Sequence, residues 1–200
     1  MIRNKEKQWM GYGMTYPCEY VIRIFKGSYP RLNFDKASFK DKKICDIGCG
    51  DGRNEVLLSQ CGFDVYGVEI TEELVNSIKF NLRKVGVKAD IRVGTNDRLP
   101  FEDEYFDYLL SWNACYYMGE LRDFGKHVAE FARVLKPAGY LVLSIPKKTC
   151  FIYCGSDTLK PGYQIIRNDP FNVRNGQVLR MFESEEEIKE EFSGHFENFF

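Results

Sequence analysis

Apolar and polar positions alternate with two different periods along the middle of the chain. Short apolar runs bounded by glycine or polar residues predict buried strands, and they cover residues 42–48, 64–70, 89–95, 105–113 and 140–146. Segments with apolar residues three and four positions apart predict one face of a helix, and they cover residues 54–62, 71–86 and 121–139. Strands and helices are therefore expected to alternate along this part of the chain.

Capping residues and helix breakers support these boundaries. The segment "TEEL" opens the second predicted helix, where the Thr71 hydroxyl is suited to cap the first turn, and Gly86 ends that helix. Pro137 and Gly139 end the third predicted helix, just before the last apolar run.

The alternation predicts the α/β class. Strands that are joined by helices lie parallel through right-handed crossovers, and the helices cover both faces of the sheet. Strands buried on both faces have near-continuous apolar sequences, as observed here. We predict one domain over residues 42–200, built on a doubly wound, mostly parallel sheet flanked by helices.

The two flanks of this pattern differ from it. Residues 1–41 are rich in Tyr, Trp and Met and contain a predicted helix in "CEYVIRIFKG", so we expect an N-terminal helical arm that acts as a lid. Residues 147–182 predict a long irregular insertion on the substrate side, with Gly, Pro and Asn as breakers. Residues 183–192 predict a further helix, and residues 195–200 predict the start of another strand.

Charge and cysteine content exclude several classes of function. The formal net charge is -1 and the pI is near 6.2, which gives no basic footprint for nucleic acid or an anionic membrane. The seven cysteines are an odd number without a C-x-x-C pair, which is typical of reduced thiols in a cytoplasmic protein. Cys150 and Cys154 lie close enough in sequence to share a metal ion with a histidine. Because the chain has two histidines and no second cysteine pair, we expect no metal site.

A glycine-rich turn follows the first predicted strand in "KKICDIGCGDGR". Its glycines are Gly48, Gly50 and Gly52, and Asp46 precedes them. The dinucleotide fingerprint G-x-G-x-x-G would need a third glycine at position 53, which is Arg53 here. The spacing therefore argues against NAD or FAD and against a nicotinamide oxidoreductase.

Glu69 ends the second predicted strand, 19 positions after Gly50. A carboxylate there is placed to accept hydrogen bonds from both hydroxyls of an adenosine ribose, and charge-assisted bonds of this kind contribute on the order of 1.5–3 kcal/mol each. The alternative is that Glu69 only caps the helix beginning at "TEEL", a role that Thr71 alone would fill.

Four linked motifs carry a family resemblance. The segments "ICDIGCGDG", "VYGVEIT", "LPFEDEYFDYLLS" and "EFARVLKPAGYLVLSIP" resemble the class I S-adenosylmethionine-dependent methyltransferases, in their small-molecule branch, over about residues 42 to 147. The resemblance implies a Rossmann-like sheet, S-adenosylmethionine as cofactor and S-adenosylhomocysteine as product. Relative to that family, the last strand or strands of the sheet are expected to be missing.

The resemblance also implies which residues bind the cofactor. Gly48 and Gly50 match the glycines whose backbone approaches the methionine part, and Asp46 matches the acid that contacts the ammonium group, often through water. Glu69, with the neighbouring Ile70, matches the ribose-binding position.

The adenine-binding position departs from the family pattern. The family often has Asp directly after the glycine that follows the third strand, and this chain has Thr95 there, followed by Asn96 and Asp97. Adenine recognition is assigned to Asn96, through its backbone and side chain, or to Asp97, and the choice between them stays open.

The fourth strand ends at Ser111, Trp112 and Asn113, where the crevice of such a sheet lies. These residues are expected beside the reactive methyl group, and a core aromatic is the alternative for Trp112. In the arm, Trp9, Tyr12, Tyr16 and Tyr20 are expected to close over the cofactor by cation–π attraction to the sulfonium, or else to pack as buried aromatics.

The chemistry expected is methyl transfer to an O or N atom of a small molecule, an in-line displacement that needs mainly positioning. No catalytic acid or base is assigned. Asp51 and Arg53 are exposed candidates, with capping of the next helix as the alternative for Asp51, and His127 is expected to lie at the surface or to pack its helix. Lys147, Lys148 and Arg167 either give the pocket a positive side suited to a phosphate or carboxylate, or are solvated surface residues.

The acceptor predicted is a sugar or a phosphorylated precursor in bacterial surface-polysaccharide biosynthesis, on a distant resemblance of the flanking segments. The alternative function is an S-adenosylmethionine-binding, catalytically inactive partner subunit. The oligomeric state is not predicted.

Overall fold

The computed structural model describes residues 16–29, 32, 34–119 and 123–200. The elements of the central unit are, in chain order, β1 (Lys43–Ile47), α2 (Arg53–Gln60), β2 (Asp64–Glu69), α3 (Glu72–Lys84), β3 (Asp90–Val93), β4 (Phe106–Ser111), α4 (Phe124–Val134) and β5 (Leu135–Leu143). The flanking elements are α1 (Glu19–Phe25), β6 (Asp157–Lys160), β7 (Tyr163–Ile165), β8 (Val178–Arg180) and α5 (Glu185–Phe192). None of the described helices has the length and apolar character needed to cross a membrane.

The central sheet has the order β3-β2-β1-β4-β5, and every neighbouring pair is parallel. Ile44 of β1 pairs with Val65 of β2 on one side and with Tyr108 of β4 on the other. The chain therefore starts in the middle of the sheet, builds outwards to β3, and returns to build β4 and β5. In such Rossmann-like sheets the reversal between β1 and β4 opens a crevice at the carboxyl ends of the strands.

The two faces of the sheet have separate hydrophobic cores. Along β1, Ile44 faces a core with α1 and α2, while Cys45 and Ile47 face a core with α4, α5 and the small sheet. On α3 the buried Val75, Ile78 and Leu82 line a further cluster, as expected for one helix face. The predicted fold class is therefore confirmed.

The N-terminal helix α1 is part of a core. Val21 and Phe25 are fully buried against α2 and the sheet. The Phe25 ring contacts four other aromatic rings, those of Phe34, Phe39, Phe63 and Tyr108. Of the arm's other aromatics, Tyr16 is 89% exposed, and Trp9 and Tyr12 lie outside the described residues.

The predicted helix over residues 121–139 is longer than the observed α4. It begins at Phe124 and ends at Val134, and residues 120–122 lie outside the described part. The chain enters β5 at once, but the register with β4 jumps from Leu135 to Tyr140 across "KPAG". Ala138 has φ 61, in the left-handed region, so this segment forms a bulge where a helix was expected.

Two expectations for the C-terminal part are corrected. The insertion predicted as irregular contains β6, β7 and β8, a three-stranded antiparallel sheet. Its strands are three or four residues long, too short for a periodic signal in the sequence. The strand predicted at residues 195–200 is wrong: no strand follows α5 in the described chain, and the Phe199 and Phe200 side chains are exposed.

Replacing the Phe25 side chain tests whether α1 is a core element or a detachable lid. Phe25→Ala should lower the free energy of unfolding by about 3–5 kcal/mol, the usual effect of emptying an aromatic core site. Urea unfolding followed by circular dichroism measures this change. Phe80→Ala is the control, because Phe80 is 57% exposed and should change stability by less than about 0.5 kcal/mol. A loss of stability in Phe25→Ala as small as that in Phe80→Ala would mean that α1 contributes no core stability.

Candidate functional site

The turn after β1 is built on glycines because its backbone is left-handed at three positions. Gly48, Gly50 and Gly52 have φ values of 75, 65 and 88, a region that other residues enter only with strain. The amide groups of Gly48 and Cys49 donate to the Val68 carbonyl of β2, at 2.9 and 3.3 Å. The turn is therefore bound to the end of the neighbouring strand.

The inner side of the turn is closed at one glycine and open at another. A Cβ atom at Gly48 would lie 2.4 Å from the Cβ of Ala114, in the segment after β4. A Cβ atom at Gly50 would meet no atom within 4 Å. The backbone at Gly50 therefore faces open space that a ligand can approach.

The Glu69 carboxylate links the end of β2 to this turn. Its Oε1 accepts the Gly50 amide at 2.9 Å, and its Oε2 accepts the Ile70 amide at 3.0 Å. The cap of α3 is the Thr71 hydroxyl, which accepts the Leu74 amide at 3.3 Å. Burial raises the pKa of Glu69, while the two amide donors lower it. Because each carboxylate oxygen can accept two hydrogen bonds, both oxygens can still accept ligand hydroxyls.

The Asp46 carboxyl lies under the turn and is 1% exposed. Its Oδ2 accepts a hydrogen bond from Asn54 Nδ2 at 3.0 Å, and its Oδ1 has no hydrogen-bond partner among the described residues. Burial raises the pKa of Asp46 to about 7, the Asn54 amide opposes this shift, and the Glu69 charge adds to it. An unpaired buried carboxylate oxygen is suited to a cationic ligand group.

Glu55, in the first turn of α2, is a second buried carboxyl group. It is fully buried, and neither of its oxygens has a hydrogen-bond partner within the described chain. A Cβ atom on Gly67 would lie 3.1 Å from Glu55 Oε1 and 2.9 Å from the Cys49 sulfur, so these groups converge. Burial, reinforced by the Asp46 charge, raises the pKa of Glu55 well above its usual value. Burial therefore favours the protonated form of Glu55 over the ionised form more strongly than in an exposed glutamate.

The segment after β3 is a tight turn in which Thr95 and Arg98 exchange backbone hydrogen bonds of 3.0 Å. Asn96 Nδ2 donates to the carbonyls of Ala114 and Tyr117, at 3.1 and 3.3 Å. The side-chain nitrogen of Asn96 thus ties this turn to the segment after β4. Asp97, next to it, is half-buried.

The carboxyl end of β4 brings the arm and β5 together. Trp112 stacks on Tyr20 of α1, with ring centroids 5.9 Å apart, and Tyr20 is 51% exposed. Asn113 has φ 60; its amide donates to Ser144 Oγ at 2.8 Å, and its Oδ1 accepts from that hydroxyl at 3.1 Å. Ser111 is fully buried and donates to the Ile47 carbonyl at 3.4 Å, so its hydroxyl serves the sheet.

The side chains considered as catalytic acids or bases already have structural contacts. Asp51 was expected to be exposed, but it is 6% exposed and forms an ion pair with Arg53 at 2.8 Å. His127 is buried, with Nδ1 3.0 Å from the Cys115 carbonyl, and burial lowers its pKa. The expected packing role of His127 is confirmed. Across the described ranges, no group of three or more His, Cys, Asp or Glu side chains is arranged to hold a metal ion.

Comparison with known families agrees with this geometry. Residues 45–143 match the family described as a methyltransferase domain. This region is a class I S-adenosylmethionine-dependent methyltransferase domain. The expected cofactor, S-adenosylmethionine, is confirmed by the same match. The residues of this site fit S-adenosylmethionine. Asp46 Oδ1 has no hydrogen-bond partner within the described chain and can accept the ammonium group of the ligand, and the open space at Gly50 lets the ligand approach the backbone.

Individual relatives support the assignment. A ubiquinone biosynthesis O-methyltransferase of Roseobacter denitrificans is 28% identical over 66% of this chain and 52% of its own length. The methyltransferase YcgJ of Bacillus subtilis is 32% identical over 52% of this chain and 40% of its own length. Its crystal structure superposes with a TM-score of 0.57 at 26% identity, covering 80% of this chain and 64% of YcgJ.

A methyltransferase from Methanosarcina mazei shares the fold, with a TM-score of 0.66 at 23% identity over 82% of this chain and 84% of its own. The chain spans about half the length of the curated relatives that it matches. The comparisons therefore establish the domain and its cofactor.

The methyltransferase motifs predicted the glycine turn, Asp46 and Glu69, which the structure brings together. Asn54, Glu55 and Ser144 were missed. A signal for the first two was present on the buried face of α2: Asn54 lies three positions before Leu57, and Glu55 lies three positions before Leu58. No pattern in the sequence pointed to Ser144.

Removing the Glu55 charge should make stability less dependent on pH. The folded-state pKa lies above the unfolded-state pKa, so the folded protein binds more protons between the two values, and stability falls as the pH rises through this window. Glu55→Gln has no proton to lose, so above the window it should be more stable than the wild type. Urea unfolding between about pH 5 and pH 8 measures the difference.

Glu102→Gln is the matched control, because Glu102 is exposed and the change should leave the pH dependence as it is. Parallel stability curves for Glu55→Gln and the wild type would show that Glu55 is ionised in the folded state.

Proposed function

We propose that this chain transfers a methyl group from S-adenosylmethionine to an O or N atom of a small molecule. The observation that carries the proposal is the pairing of a free, buried Asp46 oxygen with an open glycine turn at the β1–β4 crevice. The ammonium of the donor binds Asp46, directly or through a water molecule, and the backbone at Gly48 and Gly50 lies against its methionine part. Glu69 and Ile70 contact the ribose.

The adenine would lie beside the turn after β3. Asn96 uses its side-chain nitrogen for two backbone carbonyls, which leaves its oxygen as an acceptor. The Asp97 carboxylate is the second acceptor there. The exocyclic amino group of adenine can donate to either, so both remain in the proposal, and the exposed Thr95 contributes backbone contacts.

The acceptor would bind where β4 and β5 end. Trp112, Asn113 and Ser144 form the floor of this region, and Tyr20 stands at its side. The donor's sulfonium supplies a good leaving group, so the chain's role is to orient the acceptor and exclude water. Tyr16, with Trp9 and Tyr12 beyond the described part of the chain, is proposed to complete the lid over residues 1–41.

The nature of the acceptor rests on relatives and surface charge. Several relatives carry the name ubiquinone biosynthesis O-methyltransferase, which supports an oxygen of a small molecule as acceptor. The sugar or phosphorylated precursor of a surface polysaccharide stays a prediction. Of the cations that suggested it, Lys148 pairs with Glu183 and Arg167 pairs with Asp157, and only Lys147 has no partner within the described ranges. The cytoplasmic location, based on seven free thiols, also stays a prediction.

A calorimetric titration with S-adenosylmethionine, S-adenosylhomocysteine and NAD tests the donor site first. We expect roughly micromolar dissociation constants for the first two and no binding of NAD, because the third glycine of the dinucleotide turn is absent. Methyl transfer from labelled donor to a panel of phenols, sugars and amines then separates the two functions. Donor binding without transfer to any acceptor would favour the inactive partner subunit. A folded chain that binds neither ligand contradicts the proposal.

A methyl group at Gly50 should block the donor. Gly50→Ala places it in the open space of the turn, so the dissociation constant for S-adenosylmethionine should rise about tenfold or more. The left-handed backbone adds a strain of about 1 kcal/mol. Gly86→Ala is the control, because Gly86 has φ 71 and open surroundings at the end of α3, remote from the turn. A loss of affinity in both variants would assign the effect to strain alone.

A further inference from the structure

Asn54 connects three elements at the donor site. From α2 its Oδ1 accepts the backbone amide of Cys18 at 3.3 Å, and its Nδ2 donates to Asp46 Oδ2 at 3.0 Å. Cys18 is the residue that precedes α1. The Asn54 side chain is 6% exposed, so water does not compete for these contacts. One carboxamide thus joins the N-terminal end of α1 to the carboxyl group at the end of β1.

The Cys18 amide determines the orientation of the Asn54 side chain. A backbone N–H can only donate, so the Asn54 oxygen must face Cys18 and its NH2 group must face Asp46. This orientation holds whether Asp46 is ionised or neutral. A donor aimed at a carboxyl group favours its ionised form.

We propose that Asn54 is a positioning residue for the methyl donor, which holds the Asp46 carboxylate by Oδ2 and leaves Oδ1 for the donor's ammonium group. The inference rests on the proposed donor site. It also makes that site dependent on α1, because the Cys18 amide keeps the NH2 group of Asn54 turned towards Asp46. The N-terminal arm therefore influences the binding of S-adenosylmethionine through the contact between Cys18 and Asn54, in addition to its proposed role as a lid.

The surroundings of Asp46 leave this task to Asn54. The titratable groups whose charge acts on Asp46, or on which its charge acts, are acids or thiols: Glu55 on α2, Glu69 on β2, Cys45 on β1, Cys49 in the turn and Cys18 before α1. The nearby Arg53 is paired with Asp51. The hydrogen bond from Asn54 is therefore the contact that opposes protonation of Asp46 before S-adenosylmethionine binds.

The test measures the affinity for S-adenosylmethionine as a function of pH in three variants. Asn54→Asp keeps the shape and the acceptor for Cys18 but turns a carboxylate towards Asp46. Asn54→Ala removes both hydrogen bonds, and it provides the test of the proposal if Asn54→Asp does not fold. Asn76→Asp is the control, because it adds the same charge at an exposed position of α3.

In the wild type, affinity should increase as the pH rises through about 7, where Asp46 ionises. In Asn54→Asp and Asn54→Ala this increase should move up by about one to two pH units, from the loss of one charge-assisted hydrogen bond. Near neutral pH their dissociation constants should then be about tenfold higher or more. Asn76→Asp should follow the wild type.

A probe without the ammonium group separates positioning from general damage. 5′-Methylthioadenosine carries the adenosine but lacks the amino-acid part, so its affinity should be the same in the wild type and in the Asn54 variants. An unmoved pH profile for S-adenosylmethionine, or an equal loss for 5′-methylthioadenosine, overturns the role of Asn54. A wild type that binds no S-adenosylmethionine at any pH overturns the proposed donor site itself.

Discussion

The two hydrogen bonds that Glu69 accepts from Gly50 and Ile70 are the contacts on which the site depends. The bond from the Gly50 amide joins the glycine turn to the end of β2, and the bond from the Ile70 amide holds the Glu69 carboxyl group in place. Hydrogen bonds from the amides of Gly48 and Cys49 to the Val68 carbonyl complete the attachment. A Cβ atom at Gly50 would meet no atom within 4 Å, so no side chain supports the turn at this point. Its geometry is therefore held from the neighbouring strand.

Several carboxyl groups are buried beside the glycine turn. Asp46, Glu55 and Glu69 approach one another because β1, α2 and β2 meet where the turn begins. Their mutual repulsion and the loss of solvent favour the neutral forms of Asp46 and Glu55. The hydrogen bond from Asn54 opposes this shift at Asp46.

The flanking segments pack against the central unit near the carboxyl end of β4. The helix α1 is anchored by Val21 and Phe25, and it carries Tyr20 to Trp112 and the Cys18 amide to Asn54. On the other side, β8 joins the segment after β4 through backbone bonds from Met118 to Val178 and from Arg180 to Tyr116. Both flanks are therefore in contact with the segment that follows β4.

The sequence alone determined the alternation of strands and helices, the glycine turn and its two acids, because these depend on local periodicity and on motifs within a few residues. Only the tertiary structure decided the short strands of the insertion, the bulge after Val134, the burial of Asp51, and the contacts of Asn54 and Ser144. The contacts of Asn113 with Ser144 and of Cys18 with Asn54 join residues 31 and 36 positions apart. Pairing over such separations is set by packing and leaves no periodic pattern in the sequence.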